Sequence, residues 1–166
     1  KHIDLNGDIS PRAIQIFESL KDVNQTFLFY GQKGIGKKTC FELLSQYKGY
    51  DYVVIDNVDF VEHEMFLAVV YGRAVALCKN SLISATEDYL PYIPFYVWIF
   101  EQMPTGIKAC PIFFSPLNMR EKYNIWKTEA KKYKVEKWLD FQVLANQYNL
   151  TYGEIRESFN KAESRR

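Results

Sequence analysis

A short apolar run, Thr26-Phe27-Leu28-Phe29-Tyr30, leads directly into Gly31-Gln32-Lys33-Gly34-Ile35-Gly36-Lys37-Lys38-Thr39. Behind that glycine loop, Cys40, Leu43, Leu44 and Tyr47 recur at i, i+3, i+4 and i+7 until Gly49. The run reads as a buried strand, and the stripe as an amphipathic helix ended by glycine. A buried strand, a glycine loop and a helix in immediate succession point to a sheet with helices packed on it. Small residues let the loop curl so that successive N–H groups point at a common anion. The N-terminus of the following helix adds partial positive charge, and the Lys37 ammonium reaches the outermost oxygens. The alternative is a glycine-rich turn that binds nothing.

Composition narrows the rest. A chain of 166 residues with 48% apolar and 25% charged residues holds one domain, or one domain and a small appendage. Its 21 Lys+Arg against 20 Asp+Glu exclude nucleic-acid binding by bulk positive charge, but leave room for a local basic face. Charge is indeed segregated. Asp51, Asp56, Asp59, Glu62 and Glu64 cluster without an intervening base, whereas Arg120 to Lys137 is predominantly basic. Cys40, Cys78 and Cys110 form no C-x-x-C pair, and His2 and His63 form no metal cluster. No apolar run approaches the roughly 20 residues of a membrane helix, and no signal peptide is recognisable. A cytoplasmic, reducing location without membrane association is expected. Because the chain begins at Lys1 rather than Met, an excised domain or a processed product is also expected.

Ser10-Pro11 marks a helix start, and Ile14, Phe17 and Leu20 carry that helix to about Lys21. Tyr52-Val53-Val54-Ile55-Asp56 reads as a second buried strand, and Val61, Met65, Ala68 and Val69 as a helix closing near Gly72. Residues 73 to 94 carry no decisive pattern, and Pro91 and Pro94 interrupt any regular element there. Phe95 to Phe100 reads as a strand or as the tail of a helix, and Cys110 to Ser115 as a strand. Trp138, Phe141, Ala145 and Tyr148 form a helical stripe. Thr151 and Glu154 then make a capping box that opens a last helix bearing Tyr152, Ile155 and Phe159. The expected fold is α/β, three-layered with a mostly parallel sheet. A nucleotide-binding core would span 1–128 and a small, lid-like helical segment 129–166.

The chemistry-bearing residues follow from the loop, which matches G-x-x-x-x-G-K between strand and helix. The next position ordinarily holds a Ser or Thr whose hydroxyl ligates Mg²⁺; here it is Lys38. Thr39 stands one residue later, turned by about 100° on a helix. Asp56 closes a strand and can either hold a metal through water or cap the next turn. Asn57 follows where a Glu usually polarises the attacking water, so Asp59 and Glu101 are the substitutes. Ser115-Pro116-Leu117-Asn118 ends a strand with an amide that would sit near a terminal phosphate or simply begin a turn.

This succession of strand, phosphate loop, helix, Val-Ile-Asp strand and Asn-ending strand resembles P-loop ATPases of the AAA+ type. The loop itself is similar to that of bacterial clamp-loader subunits of the delta-prime kind, where a basic residue also follows the lysine. Phe100-Glu101-Gln102-Met103-Pro104 ahead of Ile112 to Ser115 is weakly similar to the corresponding segment of that group. The order also resembles, more distantly, viral Rep-type superfamily 3 helicases. The resemblance implies ATP and Mg²⁺ as cofactors. Lys37 and the loop from Gly31 to Thr39 would bind the phosphates, Thr39 and Asp56 the metal, Asn118 would sense the γ-phosphate, and Glu101 would be the catalytic carboxylate that polarises the attacking water. It further implies a replication or remodelling role among other subunits, with Arg120 as a positional arginine finger and the helices after Lys134 as a lid. The basic stretch Arg120 to Lys137, interleaved with Tyr123, Trp126, Tyr133 and Trp138, suits DNA contact with base stacking, or is a solvated helix face whose aromatics are core. The span from Thr39 to Val53 departs from the family, since a strand expected there is missing or merged. Two other readings are a nucleotide or nucleoside kinase and an interaction module in which Lys38 blocks metal.

Overall fold

The computed structural model describes residues 9–132, 143, 145, 146 and 150–164. In chain order these form α1 (Pro11–Leu20), β1 (Phe27–Gly31), α2 (Lys37–Tyr47), β2 (Tyr52–Ile55), α3 (Val61–Tyr71) and β3 (Ala74–Leu77). Then come α4 (Leu82–Thr86), a 3-10 turn at Leu90–Tyr92, β4 (Tyr96–Phe100), β5 (Cys110–Phe114), α5 (Met119–Lys132) and α6 (Tyr152–Ser164).

The strands pair in the order β2-β3-β4-β1-β5, and every pair is parallel. From β2 through β3 to β4 the chain steps along the sheet in one direction, whereas the connection from β1 to β2 runs the other way. Right-handed crossovers therefore place α2 on one face and α3 and α4 on the other. Alternate residues of each strand feed the two faces. Phe27, Phe29, Ala76, Val97, Ile99 and Phe114 meet Ala13 and Leu20 of α1 and Phe41 and Leu44 of α2. Leu28, Val75, Leu77 and Trp98 meet Met65 and Ala68 of α3 and Leu82 of α4. The result is the expected three-layer α/β architecture. Phe27, Phe29 and Phe41 have no exposed surface, and burial of each contributes about 1.5–3 kcal/mol.

Several sequence expectations are changed or resolved here. Residues 73 to 94 hold an interior strand, β3, whose four residues are all fully buried. Its brevity and its two alanines give little β signal against the background. With β3 inside the sheet, the Val-Ile-Asp strand β2 becomes an edge, separated from β1 by β3 and β4. Phe95 to Phe100 resolves to a strand, paired on both sides. The boundary expected between 128 and 129 falls inside α5, which is continuous across it. Of the stripe Trp138, Phe141, Ala145 and Tyr148, only Ala145 is among the described residues, and it is buried.

At the C-terminal end, the capping box forms as expected. Thr151 N donates to Glu154 Oε1 at 3.0 Å and Glu154 N to Thr151 Oγ1 at 3.3 Å. α6 packs on α5 through Trp126 and Phe159, with ring centroids 5.3 Å apart. Arg12, buried on α1, ties this side together. Its guanidinium donates to Ser115 O at 3.0 Å, Pro116 O at 3.1 Å and Glu121 Oε1 at 2.8 Å.

Candidate functional site

Parallel pairing puts every strand's carboxyl end on one side of the sheet, the side where open α/β sheets bind ligands. The glycine loop leaves β1 there, and its path is held by contacts only glycine permits. Gly36 has φ +119°, and a Cβ on it would lie 2.9 Å from the Ser10 side chain. Ser10, expected to cap α1, instead donates its hydroxyl to Ile35 O at 2.7 Å. Ile35 is itself fully buried, so the loop is anchored in the core beneath it. Gly34 has φ +82°, and a Cβ there would meet Thr151 Oγ1 at 2.8 Å. Its carbonyl accepts from Gly153 N at 3.2 Å. The first turn of α6 thus lies directly against the loop.

α2 opens at Lys37 with no side-chain cap and no acidic residue in its first turn. Its leading N–H groups and their partial positive charge are therefore unopposed by any carboxylate in that turn. Lys37 is buried, and its ammonium donates to the loop carbonyls of Gly31 and, at 3.1 Å, Gln32. Burial pulls its pKa below the ordinary value and Lys38 adds to that, while Glu101 and Cys78 push it back up. A buried ammonium held chiefly by carbonyl dipoles is a strong attractor for an anion.

Around this ammonium opens a pocket of about 690 Å³, within the size range of small-molecule sites. The loop lines it with Lys33, Gly34, Gly36, Lys37, Lys38 and Thr39. Cys78, just past β3, and Glu101, just past β4, line it from the sheet; Tyr152, Arg156 and Glu157 line it from α6. Burial raises the Cys78 thiol above its ordinary pKa, so this position is neutral near pH 7. Cations outnumber carboxylates on the wall: Lys33, Lys37, Lys38 and Arg156 face Glu101 and Glu157. No family model matches the chain, and no curated protein matches it. Its site therefore rests on geometry and charge, which suit a polyanion.

The sequence-nominated residues separate into two groups. Lys33, Gly34, Gly36, Lys37, Lys38, Thr39 and Glu101 come together around the pocket. Gly31 and Ile35 are buried beneath the loop and Gln32 is exposed, none of them on the pocket wall. Asp56 and Asn118 do not join the pocket. Asp56 is exposed beyond the edge strand β2, beside Asn57, whose side chain accepts from Asp59 N at 2.9 Å in a local turn. Asn118 lies past β5, at the opposite edge, where it starts α5. Glu121 N donates to its Oδ1 at 2.8 Å, and Asn118 N donates to Glu121 Oε1 at 3.0 Å. Its role is that of a helix cap, so the expected γ-phosphate sensor stands outside the pocket.

The same placement tests the expected Mg²⁺ site. Thr39 lines the pocket; Asp56 does not, although its charge reaches the pocket-lining Cys78. No group of three His, Cys, Asp or Glu suited to a metal occurs among the described residues. The basic stretch fares similarly. Arg120, Lys127 and Lys131 are exposed on α5, but Lys122 is buried, and Trp126 turns inward against α6 rather than outward to stack on bases. Lys134, Lys137, Tyr133 and Trp138 lie outside the described residues. No helix among the described residues is long and apolar enough to cross a membrane.

Cys78, Gly153 and Arg156 join the site without having been nominated, and Ser10 serves the loop rather than α1. Ala74 to Leu77, between Gly72 and Asn80-Ser81, is a short apolar run bounded by turn-prone residues, the weak signal that places Cys78 at a strand end. Gly153, just inside a capping box, is a signal of close backbone approach.

Proposed function

We propose that the chain is a P-loop domain of the AAA+ type that binds ATP and senses it on behalf of a larger assembly, as subunits of replication machinery do. What supports the reading most is the buried ammonium of Lys37, folded onto the Gly31 and Gln32 carbonyls at the mouth of a cation-lined pocket. The fit to a nucleotide's polyphosphate is chemical as well as spatial. Gly34 and Gly36 keep the loop backbone clear where any Cβ would clash, and α2 presents uncapped N–H groups beside Lys37. ATP, when bound, supplies the negative charge that replaces the carbonyl oxygens as the partner of Lys37. Lys33 and Lys38, exposed on the loop, add charge from the solvent side, and Arg156 approaches from α6 while also facing Glu129 at 4.0 Å. Glu101 favours the charged form of Lys37.

A sensing rather than a turnover role fits the positions of Asp56 and Asn118, neither of which lines the pocket. Partner recognition has a separate surface to draw on, the outward side of α3, where Phe60, Phe66 and Val70 are exposed. A titration with a fluorescent ATP analogue, competed by ATP, tests the reading. Saturable binding that Lys37→Ala abolishes supports it; absence of binding, or binding indifferent to that change, refutes it.

A further inference from the structure

We infer that the pocket takes its nucleotide without Mg²⁺, with the ammonium of Lys38 standing in for the divalent ion; this rests on the nucleotide reading above. The donor set carries the inference. A metal bridging phosphates at such a loop needs a hydroxyl at the helix start and a carboxylate at a strand end. The hydroxyl position is occupied by Lys38, a pocket-lining cation. The interior strand that ends beside the pocket, β3, presents Cys78, a soft sulfur donor that suits a hard cation poorly. Asp56, the acid that the neighbouring edge strand supplies, does not line the pocket, although its charge reaches Cys78 on the pocket wall. Thr39, Glu101 and Glu157 remain, contributed separately by α2, the end of β4 and α6, and the charge of Glu101 already acts on Lys37. A divalent ion drawn to Glu101 would compete with that ammonium and be repelled by it and by Lys38.

Charge balance points the same way. A nucleoside triphosphate carries roughly four negative charges near neutral pH. Lys33, Lys37, Lys38 and Arg156 outnumber Glu101 and Glu157 around one pocket, so fixed charge offsets part of that without a metal. Unlike a bound ion, these charges are not lost to a chelator.

The test is ATP titration of the whole chain in EDTA and again in millimolar Mg²⁺, for the wild type and for Lys38→Ser and Lys38→Arg. The wild type is expected to bind with affinities that agree within about twofold in the two buffers. Lys38→Ser is expected to bind about tenfold more weakly in EDTA and to regain affinity with Mg²⁺, while Lys38→Arg stays close to the wild type. Because Lys38 is exposed, its variants should keep the wild-type melting temperature, which separates a binding defect from unfolding. Tightening of wild-type binding by about tenfold or more on adding Mg²⁺ would overturn the inference and leave the nucleotide site standing. Wild-type behaviour of Lys38→Ser in EDTA would also overturn it. No binding in either buffer would remove the nucleotide reading itself, and the inference with it.

Discussion

Along the carboxyl side of the sheet, the centre and the two edges are built differently. In the centre, β3, β4 and β1 end side by side, and their exits bring Cys78, Glu101 and the Lys37 loop around one pocket. At the edges, β2 leads to Asp56 in an exposed turn, and β5 leads to Asn118, which caps α5. A strand flanked on both sides ends among other strand ends, whereas an edge strand has one neighbour only. Asp56 and Asn118 have the residue types a phosphate site uses, yet position in the strand order decides which residues meet. Function at this sheet is a matter of adjacency before it is a matter of side-chain chemistry.

Substitutions that respect this division should differ sharply in effect. The largest is expected at Lys37, where Lys37→Ala should weaken ATP binding by at least ~100-fold in the titration described above. Gly36→Ala comes next. It forces a Cβ into Ser10 at a φ of +119° and should lower stability by about 3 kcal/mol, read from urea unfolding. A pH series probes the centre without mutation. Burial holds Lys37 below its ordinary 10.5, so between its folded and unfolded values the unfolded chain binds more protons. Stability of the free protein should therefore rise with pH through that window, while ATP affinity, which needs the ammonium, falls. Melting curves and titrations in parallel buffers check both signs, and Lys37→Ala should flatten the stability trend.

The edges should respond weakly. Asn118→Ala removes a reciprocal cap and should cost about 1 kcal/mol of stability with ATP affinity unchanged. Asp56→Asn should shift stability by no more than ~0.5 kcal/mol and affinity by less than about twofold. A large loss of affinity in either edge variant would break the contrast between centre and edges.

What the sequence disclosed, and what it withheld, follows the same line. The loop, the strands on either side of it, the stop at Gly72 and the Thr151–Glu154 capping box are legible because each is written in a few consecutive residues. The strand order is not, because parallel strands are joined by crossovers whose destination depends on packing between distant segments. One unplaced strand, β3, is enough to move the segment from Tyr52 to Asp56 away from the centre of the sheet to its rim. Arg12 shows the same limit. Nothing near it in sequence announces that its guanidinium will bind the chain beyond β5, more than a hundred residues away.

The backbone link between Gly34 and Gly153 has a mechanical consequence. With one peptide hydrogen-bonded to the other and little room for a side chain between them, the loop cannot reshape around an occupant while the start of α6 stays still. Any change in the loop's path at Gly34 therefore either carries the start of α6 with it or breaks that hydrogen bond.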